Sequence, residues 1–300
     1  MWASAPTIEE YAMPRLLFTK EGVSIWSSHL DLMRALMRSF RRAGIELKHS
    51  QGFTPHPELS ILMPLSVGVE SQCEIAEFTL AEGCAIPAAE IAERMNPVLP
   101  AGIRALESWD GGQKAGRLAW LRARLTLTYE ATGNRQQATG DGGCAQACRD
   151  GSQPSASLRS DEATGNRQQA TGDGGCGLPR AVPALAMTDA ALRCEALRAL
   201  FARPSIVVEK HGKKGVVETD IAPMIRELTV FSAGSDPLIA PVIAAGNDAV
   251  VMEVVAAAQN PTLNPLLLVT AIETWLPQYK PDQVQCRRIE IYDADGKPFR

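Results

Sequence analysis

The chain has 300 residues, of which 45% are hydrophobic and 21% are charged, a composition that can bury a sizeable core in about two globular units. Its formal net charge of -4 at pH 7 does not attract polyanions, so contact with nucleic acid would need a local basic patch. No apolar run reaches about 18 residues, which predicts that the chain does not span a membrane.

The amino terminus has neither a positively charged start nor a long apolar stretch, so we expect no secretory signal peptide. Residues 1–12 are expected to be a disordered leader or an overextended gene start, with translation beginning at Met1 or at Met13. The seven cysteines are then expected to be reduced thiols of a cytoplasmic protein.

Residues 13–110 alternate between strand and helix patterns. Strands are predicted at 15–20, at 46–62 with a loop, at 73–80 and at 103–109, and helices at 28–44 and 87–95. The order β-α-β-β-α-β is typical of a ferredoxin-like sandwich. We therefore predict an α+β protein whose first lobe is ferredoxin-like.

The helix predicted at 28–44 has well-marked ends and two different faces. Ser28 is the predicted N-cap, with Asp31 three residues further on, and Gly44 is a left-handed stop. A rotation of about 100° per residue separates an apolar face from a cationic face. The apolar face consists of Met33, Leu36, Met37 and Phe40, and the cationic face of Arg34, Arg38, Arg41 and Arg42.

The arginine face allows two interpretations. Its long side chains can cover apolar surface while their charges stay in water. Alternatively, the guanidinium groups bind an anion, because their planar fork matches a phosphate or a carboxylate bidentately. Few carboxylates lie at the i,i+4 positions that would neutralise these arginines, which favours anion binding.

The loop that follows this helix contains Gly52 and two prolines, which break any periodicity. His49 and His56 can be protonated near neutral pH, and Phe53 offers an aromatic platform. Each histidine allows two interpretations, a structural hydrogen-bonding role and a catalytic role. The chain has no Ser/His/Asp, GxSxG, HExxH, P-loop or GxGxxG pattern, so the common catalytic motifs are absent.

Residues 111–300 show a similar series of elements. Strands are predicted at 120–129, 249–256 and 287–292, a hairpin at 206–209 with 216–219, and helices at 189–202 and 265–275. Asp220 is predicted to cap a further helix that starts near Ala222. We therefore predict a second ferredoxin-like lobe that shares a cleft with the first, and not one parallel α/β sheet.

The sequence EATGNRQQATGDGGC occurs twice without change, at 130–144 and at 162–176. It is too polar to bury a core, which predicts a disordered insertion over residues 130–183 in the second lobe. Cys144 and Cys148 have CxxxC spacing, but no third cysteine completes the compact motif of an iron–sulfur cluster. We therefore expect no metal ligands in the insertion.

The tip of the predicted hairpin is cationic. Its residues are Lys210, His211, Lys213 and Lys214. Such a tip is either simply solvated or forms a basic finger that meets RNA or a partner protein.

The run SHLDLMRALMRSFRRAGIELKHSQGFTPHPELSILMPLSVGVES resembles the signature of the radical-SAM-linked protein family. This family has no known function and occurs as a separate chain beside a radical SAM protein or fused behind one. The resemblance covers most of residues 14–109, with a weaker echo at 208–228. It implies importance for His29, Asp31, Arg34, Arg41, Arg42, Ser50, Gly52, Phe53, Pro57 and Glu74. In one departure, Glu58 stands where relatives tend to carry a basic residue.

We expect an accessory protein without a cofactor of its own, which binds the substrate or the enzyme of a partner radical SAM protein, with RNA modification as a candidate setting. The expected anion-binding or partner-binding residues are His29, Asp31, Arg34, Arg38, Arg41, Arg42, Ser50, Gly52, Phe53 and His56. No catalytic residue is expected. The alternatives are a metal-free RNA-binding or RNA-processing enzyme that uses His29 or His56 as acid or base, and a scaffold whose arginines only pack.

Overall fold

A computed structural model of the protein describes residues 13–130, 189–212, 215–233 and 248–300. The predicted leader at 1–12 lies outside the described residues, as do all but the first residue of the predicted insertion and the side chains at the hairpin tip from His211 to Lys214. The expectations about Cys144, Cys148 and Cys176 therefore fall outside them too.

The described residues form an α+β fold in which strands predominate, as predicted. The strands are β1 Arg15–Lys20, β2 Leu59–Ile61, β3 Val69–Phe78, β4 Ile103–Trp109, β5 Leu118–Tyr129, β6 Val207–Gly212, β7 Gly215–Asp220, β8 Ile225–Ser232, β9 Asp248–Ala257 and β10 Gln283–Asp293. The helices are α1 His29–Arg42, α2 Ala88–Met95, α3 Asp189–Phe201 and α4 Leu267–Trp275.

One sheet of eight strands runs through both halves of the described chain, in the order β4-β1-β3-β10-β5-β9-β8, with β2 paired to β3. The first half contributes β4-β1-β3-β2 and the second half β10-β5-β9-β8. All pairings are antiparallel except that of β3 with β10, where Val69 lies opposite Cys286. The hairpin β6-β7 forms a separate two-stranded sheet. The ferredoxin-like character of each half stays a prediction.

The helices of the two halves cover opposite faces of this sheet. Successive strand residues point to opposite faces, and in β1 Phe18 packs with α1 and α2, whereas Leu17 belongs to the core beneath α3 and α4. The first helix pair contributes Leu36, Phe40 and Ile91 among others. In the first half, α1 and α2 cover one face of the sheet. In the second half, these helices do not cover that face.

The predicted bounds of β1 and β4 are confirmed, but the helix predicted to start near Ala222 is wrong. The segment forms a single 3-10 turn, Ala222–Met224, and then enters β8. The N-cap of this turn is Ile221 and not Asp220 as predicted; the Asp220 carboxylate, one residue earlier, accepts hydrogen bonds from the backbone N–H of Ala222 (3.1 Å) and of Ile206 (2.8 Å). The β-branched and aromatic residues of β8 favour a strand after one turn.

Both ends of α1 follow the predicted chemistry. The Ser28 hydroxyl accepts a hydrogen bond from the backbone N–H of Asp31 at 3.2 Å. Gly44 has φ +70°, and the N–H of Ile45 bonds to the carbonyl of Phe40 at 3.0 Å, as in a Schellman-type ending. The chain therefore reverses immediately after the helix, and the next residues run back along it.

The left-handed turn at Gly44 can be tested by substitution. We expect Gly44→Ala to lower the free energy of unfolding by about 1 kcal/mol, because an L-residue is strained at this φ. Gly52→Ala is the control: Gly52 has no left-handed φ, and an added Cβ meets nothing within 4 Å. Urea denaturation of both variants measures the difference, and equal stabilities would contradict the assignment.

Candidate anion-binding cleft

An open cavity of about 740 Å³ lies between the carboxyl-terminal half of α1 and the chain that follows it. Its helix wall is formed by Met37, Arg38, Phe40 and Arg41, and its other walls by Gly44, Ile45, Glu46, Leu47, Lys48, His49, Gln51, Pro57, Ala81 and Glu82. We call this cavity the cleft. All of its lining residues come from the first half of the chain.

Arg38 and Arg41 are the outstanding side chains of the cleft. Both are exposed, and neither has a hydrogen bond or an ion pair with any described residue. They also line a neighbouring cavity of about 430 Å³ with Ala35, Arg42 and Pro100. Residues three apart are neighbours on a helix surface, so two uncompensated guanidinium groups lie side by side.

Most other arginines of the described residues have a carboxylate partner. The ion pairs involve Arg15, Arg34, Arg94, Arg117, Arg122, Arg124, Arg193, Arg287, Arg288 and Arg300. Within the described ranges, ten arginines thus have a carboxylate partner, whereas Arg38 and Arg41 have none and share one cavity.

The opposite wall of the cleft is held by backbone pairing. Lys48 donates its N–H to the carbonyl of Thr79 at 2.8 Å and accepts from the N–H of Glu58 at 2.7 Å, and His49 pairs with Pro57 in an isolated β-bridge. The side chains of Lys48 and His49 are exposed. They face solvent in the same cavity as the two arginines.

The charge of the cleft is mixed but uneven. Glu46 and Glu82 line it together with three permanent cations, Arg38, Arg41 and Lys48. None of these five side chains forms an ion pair within the described residues. The cations are therefore available to an anion, while the carboxylates restrict where that anion can lie.

The other two arginines of the predicted cationic face are bound within the protein. Arg34 donates to the Asp31 carboxylate at 3.1 Å, and Arg42 donates to the carbonyl of Val98 at 2.7 Å. Arg42 therefore ties α1 to the segment after α2. Arg42 therefore has a structural hydrogen bond, and the anion-binding interpretation can apply to Arg38 and Arg41.

The predicted loop residues Ser50, Gly52, Phe53 and His56 lie together beside the cleft. The N–H of Ser50 donates to the carbonyl of His56 at 2.9 Å, and the Ser50 hydroxyl lies 2.9 Å from Nδ1 of the His56 ring. These contacts close the base of a short loop. Phe53 stands at the tip and is fully exposed.

His29 and Asp31 lie at the other end of α1. His29 begins the helix, nine residues before Arg38, which corresponds to about 14 Å along the axis. Asp31 accepts a hydrogen bond from the Ser28 hydroxyl, and this bond, aided by Arg34, holds the pKa of its carboxyl below the usual value. Asp31 thus has a capping role, and the structure does not bring it or His29 to the cleft.

Glu74, which the resemblance singled out, lies in the core at the junction of the two halves. Its carboxylate accepts a hydrogen bond from Arg288 of β10 at 2.8 Å, and both side chains are buried. Lys20 is buried nearby and donates to the carbonyls of Ile25 and Ser27; burial lowers its pKa. This cluster is a structural ion pair between β3 and β10.

Comparison with known proteins identifies the family. Residues 14–171 match the family described as "Uncharacterized protein conserved in bacteria (DUF2344)". The chain belongs to the DUF2344 family. No curated protein matches it.

The matched range of this DUF2344 protein contains every residue of the cleft, from Met37 to Glu82. The expected link to a radical SAM protein stays a prediction. Among the described residues, no helix combines the length and apolar character that a membrane crossing needs. The same residues contain no group of three histidine, cysteine or acidic side chains placed to hold a metal ion.

The four described cysteines of this DUF2344 protein are free thiols, as expected from the sequence. Cys73, Cys194 and Cys286 are buried, and Cys84 is half-buried. Burial raises the pKa of Cys73 and of Cys286 to about 12. Because the thiolate is the reactive species, the two buried thiols are chemically inert.

We expect iodoacetamide at pH 8 to alkylate Cys84 of the folded protein much faster than Cys73 or Cys286. Only roughly one in ten thousand thiols with a pKa near 12 is ionised at pH 8, and burial further restricts access. Mass mapping of the tryptic peptides over time measures the order, with a urea-unfolded sample as control. Equal rates at all three sites would refute this view of the core.

Arg41 and Arg42 are adjacent and should differ in their effect on stability. We expect Arg42→Ala to lower the free energy of unfolding by about 1 kcal/mol, since it removes the bond to the Val98 carbonyl. Arg41→Ala should change it by less than about 0.5 kcal/mol. Urea denaturation distinguishes them, and a larger loss in Arg41→Ala would show that Arg41 supports the fold.

Proposed function

We propose that this DUF2344 protein is a non-catalytic accessory protein that binds a phosphate-bearing ligand in the cleft. The observation that carries the proposal is the pair of unpartnered guanidinium groups, Arg38 and Arg41, on the wall of an open cavity. Lys48 adds a third cation from the opposite wall. Guanidinium forks and an ammonium are the groups that proteins use most to bind phosphate.

The size of the cleft supports a ligand larger than a single phosphate. A volume of about 740 Å³ falls within the range of roughly 300–1,000 Å³ that ligand sites occupy. Glu46 and Glu82 on the same cavity repel a second anionic group placed near them. The charged part of the ligand therefore lies against α1, and its remaining part extends toward the loop.

The proposed partner is a radical SAM protein, whose substrate or enzyme this chain would bind without a cofactor of its own. The support is the resemblance of residues 14–109 to the radical-SAM-linked signature. RNA modification in the cytoplasm is the proposed setting. We also propose that each half is a ferredoxin-like unit. The support is the order of fourth, first, third and second strand among the strands that each half contributes to the eight-stranded sheet, with the separate hairpin β6-β7 left out of the count.

Two observations favour an accessory role over RNA processing by His29 or His56. His29 begins α1, about 14 Å along the helix axis from Arg38, and it does not line the cleft. The His56 ring contacts the Ser50 hydroxyl and the carbonyl of Thr54, and within the described residues the ring has no hydrogen bond to a carboxylate that would orient it. A general base usually needs such an orienting partner.

The proposal predicts a loss of affinity in Arg38→Ala/Arg41→Ala. With inorganic tripolyphosphate as the probe, we expect at least about a tenfold weaker binding, because a charged hydrogen bond contributes roughly 1.5–3 kcal/mol. Binding should also weaken as salt is raised from about 50 to 200 mM. Isothermal titration calorimetry measures both effects.

Arg34→Ala is the matched control, because Arg34 belongs to the same helix but is already paired with Asp31. It should retain the affinity of the unaltered protein. Unchanged affinity in the double variant, or an equal loss in the control, would sink the anion-binding proposal. Failure of the chain to co-purify with a co-expressed radical SAM protein would refute the proposed partner separately.

A further inference from the structure

Phe53 is the most exposed large hydrophobic side chain of the described residues, at 107% of its reference area against 70% for Trp26. Its ring makes no core contact, so it contributes nothing to folding through burial. Its neighbours Gln51, Gly52 and Thr54 are polar or small and are also exposed. The ring is therefore a single aromatic platform and not part of an apolar patch of the kind that marks protein interfaces.

The loop that carries Phe53 is closed and placed by its base. Ser50 and His56 bond to each other through both backbone and side chains. Next to them, His49 pairs with Pro57. His49, Gln51 and Pro57 also line the cleft, so the Cα of Phe53 lies no more than about 7 Å from that of a lining residue, Gln51.

The three cations of the cleft and the ring belong to one short stretch of chain, residues 38–53. Arg38, Arg41 and Lys48 line the cleft, and Phe53 is exposed on the loop that follows Gln51, itself a lining residue. Adjacent cations and an aromatic platform are what proteins use to hold a single nucleic-acid strand, since the cations track phosphates and a base stacks on the ring. With a net charge of -4, the whole chain offers no general attraction that could replace this local one.

We infer that the cleft binds a single nucleic-acid strand, with its phosphates on Arg38, Arg41 and Lys48 and one base stacked on Phe53. This inference rests on the proposed anion-binding function and names its ligand. A duplex keeps its bases paired and stacked on one another, so it cannot offer a free base to the ring. Phe53 therefore distinguishes a single strand from a duplex and from a simple polyphosphate.

The test compares two fluorescein-labelled strands of about 12 nucleotides, one RNA of mixed sequence and one abasic chain with the same number of phosphates. By fluorescence anisotropy, Phe53→Ala should weaken RNA binding about tenfold and leave binding of the abasic chain unchanged. Arg38→Ala/Arg41→Ala should weaken both. Trp26→Ala, which removes the next most exposed aromatic ring, is the matched control and should change neither.

Phe53→Trp supplies a second readout. It should retain RNA affinity, and its added fluorescence should be quenched by RNA but not by the abasic chain, because quenching reports stacking. A DNA strand of the same sequence shows which sugar the cleft prefers. Tighter binding of RNA than of DNA identifies RNA as the ligand. Equal binding identifies a strand of either kind, and tighter binding of DNA identifies DNA.

The outcomes separate the two proposals. If the arginine variant loses both ligands but Phe53→Ala binds RNA as the unaltered protein does, the anion site stands and the stacking inference falls. Equal affinity of the unaltered protein for RNA and for the abasic chain overturns the inference in the same way. If the arginine variant binds everything unchanged, the proposed function itself has failed.

Discussion

The pairing of β3 with β10 is the interaction on which the rest of the fold depends, because it makes one sheet out of two halves. It involves only a short parallel register around Val69 and Cys286, and the Glu74–Arg288 ion pair lies buried beside it. A buried ion pair gives little net stability, yet removing one partner leaves an uncompensated charge in the core. A single substitution of Glu74 or Arg288 is therefore more costly than a substitution of both together.

Some charged side chains of the described residues are paired with one another, whereas others are open to solvent. In the sheet, Glu253 accepts from both Arg122 and Arg124, and Glu70 accepts from Arg287. These pairs neutralise the open face of the second half. At the carboxyl-terminal end of α1 the pattern stops, and Arg38 and Arg41 remain without a described partner. Cations at this end of a helix also interact favourably with its dipole, so the fold tolerates them unpaired.

Sequence patterns predicted the elements with local signals and failed where the deciding contacts are distant. Ser28 and Gly44 specify the ends of α1 through capping and left-handed geometry, and both are readable from residue type. By contrast, the role of Arg42 depends on a carbonyl 56 residues away. Glu82 lines the cleft because the N–H of Ala81 pairs with the carbonyl of Glu46. Lys48 belongs to no sequence motif that would have marked it as a residue of the cleft. Which arginines stay open could thus be known only from the fold.

Every wall of the cleft comes from one stretch, Met37 to Glu82, and the second half of the chain contributes none of them. The second half supports this stretch through the pairing of β3 with β10 and through the core that both halves share. Neither of these depends on which ligand the cleft binds. The second half can therefore accumulate substitutions, be fused to another chain or accept long insertions without changing the residues that line the cleft. Under the proposed function, the residues that bind the ligand and the residues that support them lie in different parts of the chain, so the two sets can diverge at different rates.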